Sequence, residues 1–207
     1  MSDSSLEFAS LLCSRLCHDM LSPVGAMNNG LELLADEDDP DMRARVMELL
    51  ADSARASADR LKFFRLAFGA GGGFGETLGA DEIKAAVEGL VRGNARIELD
   101  WIVAIPAVPK TAAKILLNLT MIAFDALVRG GRLTVGVEAG EVVVRAEGPR
   151  IVLDAEIRTV LADGAGGVSS RTSAAWLIRK LADDAGGSIA LADGEDGVLL
   201  LAASLPG

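Results

Sequence analysis

The chain has 207 residues, 50% of them hydrophobic, which is enough for one large or two small domains with a real core. Its formal net charge of −10 at pH 7 argues against a nucleic-acid or anionic membrane surface, because contacts to phosphates require clustered Lys and Arg. No stretch approaches the roughly 18 uninterrupted apolar residues of a membrane span, and the first residues lack a basic, apolar signal sequence. We therefore expect a folded cytoplasmic protein whose partners are proteins, with no nucleic acid and no membrane among them.

The first predicted element is a long amphipathic helix that carries His18, the single histidine of the sequence. Apolar residues recur every three or four positions, the pattern of one seam of a coiled-coil-like helix. If Cys13 and Leu16 occupy positions a and d, His18 occupies position f and should point into solvent. The seam consists of Leu6, Ala9, Cys13, Leu16, Met20, Val24, Met27, Leu31 and Leu34.

Cys13 and Cys17 lie one helical turn apart on this helix. Two cysteines so close on one helix do not suggest a structural disulfide, and a metal site would need further ligands from elsewhere. We expect both to be buried thiols, and we expect this chain to bind no metal.

The neighbours of His18 distinguish it from an ordinary surface histidine, which is the usual role of a lone imidazole on a helix. Arg15 and Ser22 lie three residues before it and four after it, on the same face. Apolar and very small residues lie beside them. The imidazole of His18, the guanidinium of Arg15 and the hydroxyl of Ser22 are therefore expected on one flat surface where a partner protein can dock. The residues expected to contact a partner protein there are Leu11, Leu21, Gly25 and Asn28.

A second amphipathic helix is predicted after the acidic, proline-containing turn at residues 36–40. Its apolar stripe runs from Met42 to Phe68, with small Ala and Ser residues in the middle that permit close helix approach. The two helices form a hairpin. Because two helices alone cannot cover both apolar faces, we expect two chains to pair their hairpins into a four-helix bundle, as a homodimer.

A glycine-rich stretch at residues 69–79 marks the boundary between two domains. It lacks the Lys-Ser/Thr pair that a phosphate-binding Walker loop requires, which favours a linker. We therefore expect a helical hairpin at residues 1–70, a linker at 71–79 and a second domain at 80–207.

The second domain mixes helical and strand-like segments. The predicted helices cover residues 81–92, 110–129 and 172–185, and a hairpin of strands surrounds the turn at residues 139–140. This mixture predicts an α/β sandwich of helices on a mixed sheet. The predicted strands cover residues 96–103, 133–137, 142–146, 188–191 and 198–205.

The segment His18-Asp19-Met20-Leu21-Ser22-Pro23 resembles the H-box of sensor histidine kinases, in which a histidine precedes an acid, two variable residues, Ser or Thr, and Pro. A hairpin with this box, a linker and a sheet domain are together similar to a dimerisation-and-phosphotransfer domain followed by a Bergerat-type ATPase domain. The resemblance covers nearly the whole chain. It implies that His18 is the residue that becomes phosphorylated.

The second domain departs from the kinase pattern where kinases bind nucleotide. The segment around Asn118 is similar to the kinase N-box, but Ile122 replaces its magnesium-binding asparagine and offers no oxygen ligand to a hard cation. Ala146 replaces the aspartate that contacts adenine, and residues 164–167 resemble a shortened remnant of the ATP lid. The resemblance therefore predicts the scaffold without its ATP site. The second glycine box has also lost its glycines, and its place is taken by residues that include Ser170, Thr172 and Ala174.

An H-box histidine on a hairpin, followed by a degenerate Bergerat-type α/β sandwich, resembles the ChpT-type histidine phosphotransferases of alphaproteobacterial phosphorelays. The run of residues 15–19, Arg-Leu-Cys-His-Asp, fits that family well. The resemblance implies that a phosphoryl group arrives from the receiver aspartate of a CckA-like hybrid kinase. It then leaves to CtrA-like and CpdR-like response regulators of the cell cycle. We expect Mg²⁺ on the partner receiver and no cofactor on this chain.

Each polar residue of the box has an expected role in phosphoryl transfer. His18 attacks through one ring nitrogen, while Asp19 biases the tautomer of the ring. Arg15 compensates the charge of the phosphoryl group. Ser22 either positions a water for dephosphorylation or hydrogen-bonds to the carbonyl freed by Pro23.

Two other functions are compatible with the same features. An active ATP-dependent histidine kinase with unusual nucleotide boxes would bind magnesium nucleotide and label itself without a receiver. A non-phosphorylated adaptor would hold response regulators through the hairpin and would keep signalling after His18 is replaced. An adaptor has no need for His, acid, Ser and Pro in that order, which favours the phosphotransferase.

Overall fold

A computed structural model describes residues 3–69, 75–138, 140–194 and 197–206. Helix α1 spans Asp3–Asp36 and helix α2 spans Pro40–Ala67, in agreement with the predicted hairpin. Helix α2 begins where Asp39 Oδ1 accepts hydrogen bonds from the backbone N–H groups of Asp41 and Met42, at 2.8 and 3.1 Å. This bond pair satisfies two of the N–H groups that a helix start leaves free. Within the described ranges, no helix combines the length and the apolar character needed to cross a membrane.

One side of α1 packs closely against α2. A Cβ atom added at Gly30 would lie 2.9 Å from Leu50 Cδ2, so glycine permits the approach of the two helices. The opposite side of α1 faces away from α2, and Cys13 and Cys17 lie there. Both cysteines are exposed, so the prediction that they are buried is wrong for the single chain.

The second domain contains seven strands and four helices among the described residues. Helix α4 ends earlier than predicted because Leu127, at φ −79° and ψ 60°, leaves the helical conformation. Strands β1 and β3 and helix α5 were not predicted. The elements are β1 Thr77–Gly79, α3 Ala80–Arg92, β2 Ile97–Val103, β3 Ala107–Pro109, α4 Lys110–Ala126, β4 Gly131–Glu138, β5 Glu141–Glu147, α5 Ala155–Asp163, α6 Ser173–Asp184, β6 Ser188–Gly194 and β7 Val198–Ser204.

The glycine-rich linker is shorter than predicted at its C-terminal end. Residues 77–79 form β1, which pairs antiparallel with β3, whereas the prediction assigned them to the linker. Two three-residue strands leave little periodicity in the sequence, so only their pairing identifies them. Residues 70–74, which include the last residue of the predicted hairpin and the first four of the predicted linker, lie outside the described residues.

Five strands form the main sheet in the order β2-β4-β5-β7-β6. Strand β2 runs parallel to β4, and the other neighbours pair antiparallel, as a mixed sheet requires. Alternate residues of β4, β5 and β7 are buried beneath the helices, as expected for a sheet with one covered face. Helix α4 is buried along most of its length and forms the centre of the core. The predicted α/β sandwich is confirmed.

The hairpin and the second domain share this core. Phe63, Leu66 and Ala67 near the end of α2 are buried within the same cluster as α4 and the sheet. Asn118 Nδ2 donates to the carbonyl of Ala67 at 3.0 Å and thereby attaches α4 to the last turn of α2. The His18-bearing hairpin is consequently held against the second domain through α2.

Candidate functional site

His18 lies midway along α1 and its side chain is 86% exposed, so the predicted orientation toward solvent is confirmed. Its Nδ1 atom lies 3.2 Å from Asp19 Oδ1. An ionised carboxylate in this position favours the tautomer with the proton on Nδ1. That tautomer leaves the lone pair of Nε2 available to an incoming group.

The backbone at Asp19 is held by α2. Pro23 has no N–H, so the carbonyl of Asp19 lacks its usual helical donor. Arg60 Nη1 donates to this carbonyl at 3.3 Å. One of the two roles predicted for Ser22 was a hydrogen bond to the carbonyl freed by Pro23, and Arg60 makes that bond instead. Ser22 lines a groove between the hairpin and α3.

Arg15 is not the freely exposed cation that the sequence suggested. Its side chain is only 14% exposed because the second domain packs over it. Arg15 Nη2 donates to Asp125 Oδ2 of α4 at 3.1 Å, and Nη1 donates to the carbonyl of Arg171 at 3.3 Å. Asp19 Oδ2 lies 3.8 Å from Arg15 Nε. Arg15 is therefore beside His18, as predicted, but in a fixed position between the domains.

A cavity of about 430 Å³ lies in front of His18 and is lined by both domains. Sequence reasoning missed Asp125 and Arg171 as neighbours of His18. Asp125 is 110 residues from Arg15 in the chain, and no local pattern brings the two together. The lining residues are Ser14, Arg15, His18, Asp19, Asp125, Ser170 and Arg171.

Two carboxyl groups near this cavity have altered acidities. Burial raises the pKa of Asp125 above its usual value, the charge of Arg15 opposes this shift, and the charge of Asp19 adds to it. Since more than half of the Asp125 side chain is solvent-accessible, water moderates the effect. The backbone N–H of Glu156 lowers the pKa of Asp154, and Arg171, whose Nη1 donates to Asp154 Oδ2 at 3.1 Å, lowers it further.

The positions expected to replace nucleotide-binding residues lie mostly in the core. Ile122 is 2% exposed and Ala146 is fully buried, as are Thr172 and Ala174. Thr172 Oγ1 donates to the carbonyl of Gly167, which ties the glycine-rich segment to the start of α6. Ser170 is the exception, because it lines the cavity at His18. Among the described residues no group of three or more His, Cys, Asp and Glu is placed to hold a metal ion.

Comparison with known proteins establishes the family. Residues 80–197, more than half of the chain, match the model of the histidine phosphotransferase C-terminal domain. The chain belongs to the histidine phosphotransferase family. It is 42% identical to protein phosphotransferase ChpT of Brucella abortus (strain 2308) over 142 residues. That match covers 67% of this chain and 64% of the relative, a little less than two thirds of its length.

A solved structure shows the same architecture over the full chain. The 1.7 Angstrom structure of a bacterial phosphotransferase has a TM-score of 0.85 at 30% identity, with 99% of this chain and 98% of that chain covered. This agreement confirms the predicted fold class of a helical hairpin followed by an ATPase-like α/β domain. Together with the family model and the ChpT relative, it confirms the resemblance to ChpT-type phosphotransferases.

The residues predicted to contact a partner protein lie along α1 on both sides of His18 in the chain. Leu21 is 70% exposed, and a Cβ atom added at Gly25 would meet nothing within 4 Å. Leu11 is half-buried, whereas Asn28 is exposed and donates to Glu32 Oε1 at 2.8 Å. Leu21 and Gly25 thus provide an open, smooth surface next to the imidazole.

Proposed function

We propose that this chain is the phosphotransfer protein of a multistep phosphorelay. His18 accepts a phosphoryl group from the aspartyl phosphate of one receiver domain and passes it to the aspartate of another. The observation that supports this proposal most directly is the exposure of His18 together with its bond to Asp19. An exposed imidazole with a defined tautomer suits attack on a group carried by another protein.

In this reaction the Nε2 lone pair of His18 attacks phosphorus while the bond from phosphorus to the receiver carboxylate breaks. The leaving carboxylate keeps the electron pair of that bond, and Asp19 stabilises the positive charge that develops on the ring. Arg15 lowers the cost of bringing the phosphoryl group to this surface. We place the Mg²⁺ on the receiver domain. Return of the group to a second receiver reverses these steps.

The partners are receiver domains of a CckA-like hybrid kinase and of CtrA-like and CpdR-like response regulators, which makes the proposed setting cell-cycle control. Docking involves Leu11, Leu21, Gly25 and Asn28, and the apolar side chains supply the contact area. Ser22, which is exposed one turn beyond His18, is proposed to position a water for dephosphorylation.

Replacement of His18 tests the proposal. Purified His18→Gln protein should take no label from a phosphorylated receiver, whereas Lys62→Gln, an exposed change on α2, should label like the original chain. Label on the His18→Gln protein would contradict the proposal. Self-labelling of the original chain from radiolabelled ATP and Mg²⁺ without a receiver would favour the kinase alternative, and retained signalling by His18→Ala would favour the adaptor.

We further propose that a second copy of the chain covers the apolar side of the hairpin, which gives a homodimer with a four-helix bundle. Exposed apolar residues recur along this side at the spacing of helix turns. A surface of this kind is typical of association between helices. The exposed side chains of α1 and α2 include Leu6, Cys13, Cys17, Val24, Leu31, Met47 and Leu61.

The oligomeric state of single-charge variants tests the dimer. Val24→Glu should convert the intact chain to a monomer in light scattering, because a carboxylate would enter an apolar interface without a partner. Ile102→Glu, a change at an exposed apolar position on the sheet, should leave the mass unchanged. A monomeric original chain, or a dimer of unchanged strength for Val24→Glu, would rule out this interface.

A further inference from the structure

We propose that Asp125 is a positioning residue for phosphoryl transfer at His18, because its carboxylate holds the guanidinium of Arg15 beside the histidine. The inference rests on the proposed function. It implies that the second domain contributes to the transfer step through a residue of α4. Both domains then form the phosphotransfer site.

The first support is the convergence of second-domain acceptors on Arg15. Asp125 Oδ2 accepts from Nη2 at 3.1 Å, and the carbonyl of Arg171 accepts from Nη1 at 3.3 Å. An arginine on an isolated helix would sample many rotamers. Fixing one of them each time a phosphoryl group is transferred would cost conformational entropy. Two acceptors on a folded domain place the guanidinium before any partner arrives.

The second support is the connection between Arg15 and the imidazole. Asp19 lies between them, with Oδ1 on His18 Nδ1 at 3.2 Å and Oδ2 at 3.8 Å from Arg15 Nε. The Nε–H of Arg15 is buried and has no hydrogen-bond partner in the part of the chain that the structure describes. A guanidinium released by Asp125 could move toward Asp19 and alter the bond that orients the ring.

The third support is the charge balance in front of α4. Asp125 faces the cations Arg15 and Arg60 and the carboxylate of Asp19, and all four line a small cavity between the hairpin and the second domain. A phosphoryl group on His18 would add negative charge to this cluster. The guanidinium of Arg15 would offset this charge only while it stays next to His18, and the ion pair with Asp125 holds it there.

The alternative is that Asp125 only fixes the two domains together. The chain offers a control for that possibility, because Arg65 Nη2 of α2 and Glu82 Oε1 of α3 form another ion pair between the hairpin and the second domain, at 3.0 Å. Glu82→Gln removes a domain contact of the same type away from the cavity at His18. Thermal unfolding of each variant reports whether it folds.

The test is single-turnover transfer to the full-length chain from a purified receiver phosphorylated with a small-molecule donor, over a range of receiver concentrations. Asp125→Asn should lower the limiting rate constant about tenfold, within the range seen for residues coupled in one hydrogen-bond network. The half-saturating concentration should stay unchanged. Asp125→Glu should recover part of the rate, and Glu82→Gln should transfer like the original chain.

A double-variant comparison separates positioning from a general structural effect. In an Arg15→Gln background, Asp125→Asn should cause no further loss, because the group that it holds is gone. Equal reductions of the limiting rate constant by Asp125→Asn and Glu82→Gln would overturn the inference. So would a double variant whose rate reduction is the product of the reductions caused by Arg15→Gln and Asp125→Asn alone.

The single histidine of the sequence gives a second readout that needs no receiver. In a sample with ¹⁵N-labelled histidine, Asp125→Asn should shift the ring resonances of His18, and Glu82→Gln should not. If the original chain takes no label from any receiver, the proposed function fails. If the original chain is labelled but the ring resonances and rates of Asp125→Asn are unchanged, the role of Asp125 alone fails.

Discussion

Two regions of the molecule place their side chains in opposite ways. Around His18, polar groups lie at or near the surface and are oriented by hydrogen bonds, as with Asp19. At the centre of the second domain, Ile122 and Ala146 are buried in an apolar core at positions where the resemblance to kinases calls for polar groups. A nucleophile that meets a group on another protein must be exposed, whereas side chains without polar atoms can pack as core. The difference shows that the contacts of the second domain with α1 come from its surface, through Asp125 and Arg171, and not from its apolar centre.

The largest effect should come from making the buried centre polar again. Ile122→Asn should destabilise the chain by about 3 kcal/mol, since it removes packed methyl groups and buries an amide without a designed partner. Chemical denaturation measures the loss, and Ile122→Val should cost only about 1 kcal/mol. The denaturation midpoint of the original chain should not change with magnesium nucleotide. A nucleotide-dependent increase would mean that this centre is an ATP site.

A smaller effect is expected at the start of α5, where Asp154 caps the helix with one carboxylate oxygen and accepts a hydrogen bond from Arg171 with the other. Asp154→Ala should cost about 1 kcal/mol at neutral pH, the usual value of an N-cap. Asp154→Asn keeps the cap acceptor and should cost only a few tenths of that.

Lowering the pH should remove the stabilisation that the ionised carboxylate of Asp154 contributes. The pKa of Asp154 is lower in the folded chain than in the unfolded one, so its stabilisation is complete above the unfolded value of about 3.9 and is lost as the pH falls through the lower folded value. Melting temperatures between pH 2 and pH 7 measure this loss. Asp154→Asn should flatten this part of the curve, and an unchanged curve would contradict the assignment.

The smallest effect on stability is expected at the exposed face of α1, where the variant should be more stable than the original chain. Gly25→Ala should stabilise the chain by about 0.5–1 kcal/mol, because alanine is the better helix residue and its Cβ meets nothing within 4 Å. The same methyl should weaken receiver binding about tenfold, since overpacking a fitted surface costs about 1–3 kcal/mol.

Gly93→Ala provides the control for this pair of effects, because its added Cβ also meets open space but lies at the end of α3. It should leave receiver binding unchanged in calorimetry. Receiver binding of normal strength by Gly25→Ala would place the docking surface elsewhere.

Local patterns in the sequence predicted most elements and the orientation of His18. The helix period placed His18 opposite the seam, and hydrophobic periodicity located the long helices and the five main strands. Strands β1 and β3 were not predicted because three residues contain little more than one strand period. Helix α5 was not predicted because its nine residues form only about two and a half helical turns. The exposure of Cys13 and Cys17 was not predicted, because the pattern of an apolar seam does not show which of its residues are buried within the same chain.

The sequence alone determined the position of the single histidine, its neighbours within two helical turns, and the apolar residues at positions 122 and 146. These properties depend on residue type and short spacing. The tertiary structure decided that Arg15 is held between the domains and that Asp125 and Arg171 reach the cavity at His18. Such contacts join residues more than one hundred positions apart, and their energies depend on how α4 and the segment before α6 pack against α1. That packing follows from the shared core of α2 and the second domain, which no local pattern describes.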